Sequence, residues 1–305
     1  MRSYEGILPI RKPAGFTSHD VVAKSRGILK MKRIGHTGTL DPAVTGVLPL
    51  CLGRATRMVE YLQELPKEYE ATLVLGVATD TEDMTGEIIE QIEEVRVTEE
   101  EVRRALSRFV GTISQIPPMY SALKQDGKRL YELAREGKTV ERKPREVTIH
   151  ELELLAFHPE GPHPRISFRA LCSKGTYIRT LCVDIGRALG VPAAMTELKR
   201  TMSAGITEEH CLTLDEVARH AADGSLQDYL LPVDRAVEHL PAHTVAAEKV
   251  KAALQGQRLS SAVVSPAVQR GETLRLYSPE RQFLGIFRVE EETMAVKAVK
   301  VFLPE

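Results

Sequence analysis

Between residues 17 and 30, apolar side chains fall at Val21, Val22, Ile28 and Leu29. Thr17 or Ser18 stands ready to cap the first turn, so the segment predicts an amphipathic helix. The pattern then breaks. Arg33-Ile34-Gly35-His36-Thr37-Gly38-Thr39-Leu40-Asp41-Pro42 holds two glycines and a proline, which excludes a regular helix and predicts a loop. Pro42 pushes Asp41 toward an extended backbone, so the loop presents the carboxylate outward. The apolar run Val47–Leu52 behind it reads as a strand. Further on, 54–65 predicts a helix, 69–76 a strand, and 98–110 a helix opened by a Thr98–Glu101 capping box, with Val102, Leu106, Phe109 and Val110 at helical spacing. A short helix at 127–136 is closed by Gly137. Strands follow at 145–157 and 164–172, the second alternating through Ile166, Phe168, Ala170 and Cys172. Lys174-Gly175 turns into a helix at 176–189, with Thr176 as the expected cap and Ile178, Leu181, Ile185 and Leu189 as the apolar stripe.

The texture changes near residue 230, where Pro232, Pro241 and a His-rich stretch predict a linker. One helix (246–255) and three short strands near 272–277, 282–289 and 293–303 follow, a small and mostly β unit. Strands and helices do not alternate in a regular βαβ rhythm, so the fold class is α+β rather than doubly wound. The expected division is a main domain at 1–232 and a small one at 233–305.

Composition narrows the class. With 305 residues, 43% hydrophobic and 27% charged, the chain reads as an ordinary globular protein. No apolar run is long enough to span a membrane, and the N-terminus lacks a signal-peptide core. Cys51, Cys172, Cys182 and Cys211 form no C-x-x-C pair, so they read as free thiols in a reducing, cytoplasmic setting. A net charge of −1 conceals segregation. Residues 11–33 carry seven Lys/Arg against one acid, 121–150 carry eight against five, and 79–104 carry ten acids against three Arg. Such segregation permits a basic, nucleic-acid-facing surface; solvated helix faces would look the same.

Phosphate-loop, dinucleotide and H-E-x-x-H motifs are absent, and the nine histidines lack metal-ligand spacing, so neither a cofactor nor a metal is expected. What remains is a loop carboxylate backed by a buried run, a usual way to hold a reacting group. On its own, Asp41 could equally be a turn residue bonding nearby backbone N–H groups.

The segment GHTGTLDPAVTGVLPLCLGRATR (35–57) resembles the catalytic motif of the TruB-type tRNA pseudouridine synthases. Four more resemblances occur in the family's order: IRKPAGFTSHDVV (10–22), KEYEATLVLGVATDTEDMTG (67–86), QIPPMYSALKQDGKRLYELAREG (115–137) and CSKGTYIRTLCVDIG (172–186). They span residues 10 to about 200. The resemblance implies a mixed, mainly antiparallel sheet with flanking helices, an RNA-gripping insertion at about 115–145, and a PUA-like RNA-binding domain at the C-terminus, where the likeness is loose.

The resemblance also implies the chemistry. Asp41 would be the catalytic carboxylate, acting on a uridine flipped out at position 55 of the tRNA T-arm loop; uracil leaves C1′, rotates and rejoins through C5. A carboxylate can attack the sugar carbon or remove a sugar proton. Tyr69 would stack on the base, Leu198 would pack beneath it, and Tyr177 would wall the site. Arg179 would grip Asp41 in a bidentate, charge-assisted pair. His36 would help hold the flipped nucleotide. Lys12, with Pro13, belongs to the N-terminal motif as a brace of the loop or an RNA contact. Lys124, Lys128 and Arg129 would contact phosphates. Asp80, Glu82 and Asp83 could suggest a metal site; the family reading instead makes Asp83 an organiser of active-site charge.

Two other readings use the same features. An RNA chaperone that opens the tRNA elbow would need the basic face and Tyr69, and could coexist with the enzyme. A synthase in a guide-RNA particle would need protein partners; the insertion favours a stand-alone monomer acting on the T-arm stem-loop without an obligate protein partner.

Overall fold

The computed structural model describes residues 3–125 and 127–303. Its frame is a nine-stranded mixed sheet. The main path runs Gly6–Lys12, Thr45–Leu52, Ala193–Ser203, Lys67–Leu75, Arg165–Cys172, Arg145–His158, Gly111–Gln115. All neighbours on that path are antiparallel except Thr45–Leu52 with Ala193–Ser203, which pair in parallel at Lys199–Thr45 and Arg200–Gly46. That parallel contact needs Gly46. It lies at φ +106°, and a Cβ there would come within 2.2 Å of the Arg200 carbonyl oxygen. Only glycine tolerates both the backbone angle and the approach. The α+β class with a mainly antiparallel sheet is therefore the observed one.

Most expected elements form. Thr17 caps the helix Ser18–Leu29 through a reciprocal bond with Asp20, and Thr98 does the same with Glu101 for Glu99–Ser107. The segment 54–65 divides into a 3-10 turn, Gly53–Met58, and a helix, Val59–Glu64. Part of the expected loop is a short strand, Ile34–His36, paired with Thr45–Leu52. Thr176 is not the cap of Ile178–Ala188. Tyr177 holds that position, and the Thr176 hydroxyl donates to the Ser173 carbonyl at 2.9 Å.

Apolar packing divides at the sheet's centre. One cluster gathers Leu73, Phe168, Ile178, Leu181 and Ile185; another gathers Val21, Leu48, Leu50, Leu52, Leu214 and Val217. Each such side chain fully buried contributes about 1.5–3 kcal/mol. Tyr69 and Leu198 pack against both clusters, so they stand on the seam between them.

The C-terminal residues form a separate five-stranded sheet with its own core around Leu274, Leu276, Phe287 and Val289. The proline-rich stretch before it is not a loose linker. Ala236 and Val237 are fully buried, sharing a cluster with Met58, Leu62, Ile286 and Phe302. Arg57 donates to the Val301 carbonyl at 2.5 Å and lies over the Phe302 ring at 5.2 Å. The small sheet is thus packed onto the helix beside the main sheet.

Candidate active site

The loop carrying Asp41 is pinned from three directions. The Lys12 ammonium, fully buried, donates to the carbonyls of Pro13 (3.0 Å), Pro42 (3.2 Å) and Val44 (2.5 Å). The Leu40 amide donates to Ser18 Oγ at 2.9 Å. Arg200, 1% exposed, donates from Nε to the Val47 carbonyl at 2.8 Å and from Nη2 to the Gly38 carbonyl at 3.3 Å. These contacts fix the backbone on both sides of Asp41 while its side chain stays 47% exposed. Lys12 consequently cannot be an RNA contact: its donors are spent inside the protein, and it is a brace. Burial lowers its pKa to about 8, partly offset by the attraction of Asp41.

Arg179 reaches the same carboxylate from the first turn of its helix. Nη2 lies 3.1 Å from Asp41 Oδ2 and donates to the Tyr120 carbonyl at 2.7 Å. Nη1 donates to the Thr81 carbonyl at 2.8 Å and lies 3.8 Å from Asp83 Oδ2. The bidentate grip expected on Asp41 therefore does not form, because half of the fork is committed to the turn at 81–83. Asp83 itself accepts through Oδ1 from Thr81 Oγ1 (2.9 Å), the Thr85 amide (2.9 Å) and Thr85 Oγ1 (2.5 Å). Asp80 Oδ1 accepts from the Glu87 amide at 2.8 Å. Glu82, at φ +67°, accepts from Thr180 Oγ1 at 2.7 Å, and burial is the main cause raising its pKa. These three carboxylates build a turn and anchor it to the arginine's helix.

Asp41, Tyr69, Tyr177, Arg179 and Leu198 line one cavity of about 590 Å³. That volume falls in the range of small-molecule sites and admits one nucleotide. Tyr69 lies on Lys67–Leu75, cross-strand from Ala170 and Arg200. Tyr177 is held by Gln115, whose side-chain oxygen accepts from its amide at 3.0 Å and whose nitrogen donates to its carbonyl at 3.2 Å. Burial pushes both phenols upward in pKa; Arg200 opposes the shift at Tyr69, as Ser121 does at Tyr177.

Two cations in this wall were not anticipated. Arg200 is one. The other is Lys67, buried, whose ammonium donates to the carbonyls of Leu65 (2.6 Å) and Gln63; burial lowers its pKa to about 8. Neither the helical and strand patterning nor the resemblance singled out Lys67 or Arg200 as a site residue.

The remaining residues lie outside the cavity. His36 meets His19 edge to face at 5.2 Å and accepts from the Gly38 amide at 3.4 Å; burial is the main cause lowering its pKa. In the insertion, Lys124–Gln125 and Lys128–Arg129 form a two-stranded ribbon. Lys124 and Lys128 are exposed, the latter 3.3 Å from Glu136. Arg129 is partly turned inward and donates to the Tyr131 hydroxyl at 3.0 Å. The insertion also reaches the site directly, through the Tyr120 carbonyl on Arg179.

A family profile described as TruB family pseudouridylate synthase (N terminal domain) matches residues 26–178. Profiles for a tRNA pseudouridylate synthase B C-terminal domain and for pseudouridine synthase II TruB, C-terminal, match 179–238 and 241–299. A tRNA pseudouridine synthase B from Geobacillus thermodenitrificans is 45% identical over 307 residues, 98% of this chain and 99% of that one. Its counterpart from Bacillus licheniformis is 52% identical over 240 residues, 78% of each chain. Among solved structures, a chain of a Cbf5-Nop10-Gar1 complex superimposes with a TM-score of 0.76 at 31% identity, covering 98% of this chain and 85% of that one.

Proposed function

This chain belongs to the TruB family of pseudouridylate synthases, which are isomerases, and on that premise we propose that it converts uridine 55 in the T-arm loop of tRNA to pseudouridine. The observation that carries this reading is the 3.1 Å contact of Arg179 with Asp41 at the wall of a nucleotide-sized cavity shared with Tyr69, Tyr177 and Leu198. In the reaction the N1–C1′ bond breaks, a C5–C1′ bond forms, the C5 hydrogen leaves as a proton to solvent, and N1 takes up a proton. Asp41 acts on the sugar, Tyr69 stacks on the extruded base, and Leu198 packs against it. Arg179 positions Asp41, and Asp83 positions Arg179. His36 holds the displaced nucleotide from outside the cavity, and Lys124, Lys128 and Arg129 bind the stem's phosphates. The chain works as a monomer in the cytoplasm, with residues 1–232 as the catalytic domain and 233–305 as a PUA-like domain on the RNA backbone. The same base-opening surface gives it a tRNA-folding role.

Tritium release from 5-tritiated uridine in a T-arm hairpin tests the reading with the purified chain alone. Wild-type protein releases tritium, also in the presence of a chelator; Asp41→Asn does not, although it binds the hairpin and unfolds at the wild-type temperature. Normal release by Asp41→Asn would falsify the role of the carboxylate, and no release by the wild type would remove the substrate assignment.

A further inference from the structure

We propose that Ser121 is a substrate-contacting residue whose hydroxyl hydrogen-bonds the ribose 2′-hydroxyl of the target nucleotide. The proposal rests on the tRNA reading above for the occupant of the cavity. Ser121 is 5% exposed and lines the cavity with Asp41, Tyr177 and Arg179. Its backbone is engaged: the amide donates to Met119 at 2.9 Å and the carbonyl accepts from Tyr131 at 3.1 Å. Its Oγ is buried yet forms no hydrogen bond among the described residues. The Tyr177 phenol lies close enough for the Ser121 hydroxyl to lower its pKa against the larger upward push of burial, so a ligand hydroxyl would compete with that phenol for Ser121. The other unpartnered buried hydroxyls, Ser25 and Ser203, do not line the cavity.

A buried hydroxyl without a partner is costly, and one that lines a cavity can be completed by the cavity's occupant. Its position names the ligand atom. The carbonyl of Tyr120, one residue earlier, accepts from the same Arg179 nitrogen that contacts Asp41, so Ser121 stands at the carboxylate end of the cavity. That end faces the sugar, since the reaction breaks and remakes bonds at C1′. A serine hydroxyl donates and accepts, as the 2′-hydroxyl does, and the 2′-hydroxyl is the group that distinguishes RNA from DNA at a single position.

Ser121→Ala separates this role from a structural one. If the hydroxyl is completed by substrate, its removal leaves the unfolding temperature of the full chain unchanged or raised. It lowers kcat/KM for a ribo hairpin about tenfold. Binding is then compared on hairpins carrying uridine or 2′-deoxyuridine at the target position. Wild type and Ser121→Ala bind the deoxy hairpin equally, while the ribo hairpin binds the variant more weakly. Equal turnover by the two proteins overturns the proposal. So does an equal loss on both hairpins, or a lowered unfolding temperature, since either assigns the hydroxyl to the fold. A wild type that binds the hairpins but releases no tritium refutes the reaction and leaves the 2′-hydroxyl comparison readable by affinity.

Discussion

Replacing Arg179 by lysine keeps the charge and removes the fork. The guanidinium makes two carbonyl contacts, at 2.8 Å to Thr81 and 2.7 Å to Tyr120, besides reaching Asp41 at 3.1 Å. A single ammonium on a shorter stem cannot serve both carbonyls and the carboxylate. Hydrogen bonds from a charged donor contribute about 1.5–3 kcal/mol each, so losing one carbonyl contact costs that much stability. At about 2–4 °C per kcal/mol, the unfolding midpoint falls by about 3–12 °C, and the protein remains folded at 25 °C. The ion pair itself adds little, because the Asp41 side chain is 47% exposed and its attraction is screened. The larger consequence is positional. With the arginine gone, the insertion at Tyr120 and the turn at Thr81 lose their shared anchor, and a displacement of about 1 Å at the reacting group costs about a hundredfold in rate. The expected result for Arg179→Lys is a kcat down about a hundredfold with KM within about threefold, read by single-turnover tritium release on a T-arm hairpin. A kcat/KM close to wild type would refute the claim that the fork, rather than its charge, positions Asp41.

Two further outcomes follow from buried groups. Lys12 has a folded pKa of about 8 against 10.5 for an unburied lysine, so between those values the unfolded chain holds more protons and wild-type stability rises with pH at this site. The unfolding temperature of wild type relative to Lys12→Met should therefore climb from pH 7.5 to pH 10; parallel curves would contradict the buried charge. Phe302→Ala removes a 5%-exposed ring from the cluster joining the small sheet to Met58 and Leu62, and should cost about 3–5 kcal/mol in denaturant unfolding while kcat at 20 °C is unchanged; an unaltered midpoint would mean that the small sheet is not packed there.

The packed C-terminal sheet also changes how its role can be tested. Removing everything after residue 235 would uncover Met58, Leu62 and Ala55, so weaker RNA binding by such a truncation would report a damaged core as readily as a lost RNA surface. Substitutions on the exposed face of the sheet avoid that ambiguity.

Local rules were enough wherever one face or one cap decides the structure. Thr17 or Ser18 as a cap, Thr98 with Glu101, and the alternation through Phe168 and Cys172 are signals of that kind, and each element formed at its expected place. The strand Ala193–Ser203 gave no such signal. Its Ala, Met, Glu, Leu, Lys and Arg are strong helix formers, yet it pairs with strands on both sides and carries Leu198 and Arg200 into the site. Tertiary pairing overrides propensity there, and it works only because Gly46, distant in sequence, lets the neighbouring backbone approach. The Asp41–Arg179 contact was legible through resemblance. Its geometry was not, since the competing demands of Thr81, Tyr120 and Asp83 exist only after three remote segments meet.

The charge balance yields to the same reasoning. A chain of net charge −1 is a poor advertisement for RNA binding. Yet Lys67, Arg179 and Arg200 are buried in the wall of one cavity, Lys12 is buried against the backbone of the Asp41 loop, and all four are held largely by backbone carbonyls. Carbonyl dipoles satisfy the donors without cancelling the charge, as a partner carboxylate would. Asp41 and Asp83 offset part of it, so the ground under the cavity remains positive. In a recess walled by protein, that charge is screened less than the same charge on the surface, and it favours a nucleotide that brings its phosphate with it. Surface lysines can gather any nucleic acid, whereas these four reward only a nucleotide that has left its stack and entered. On the proposed function, that separation between gathering and admitting would give a near-neutral protein selectivity for a flipped base, and it resides in residues whose burial no count of charges along the sequence reveals.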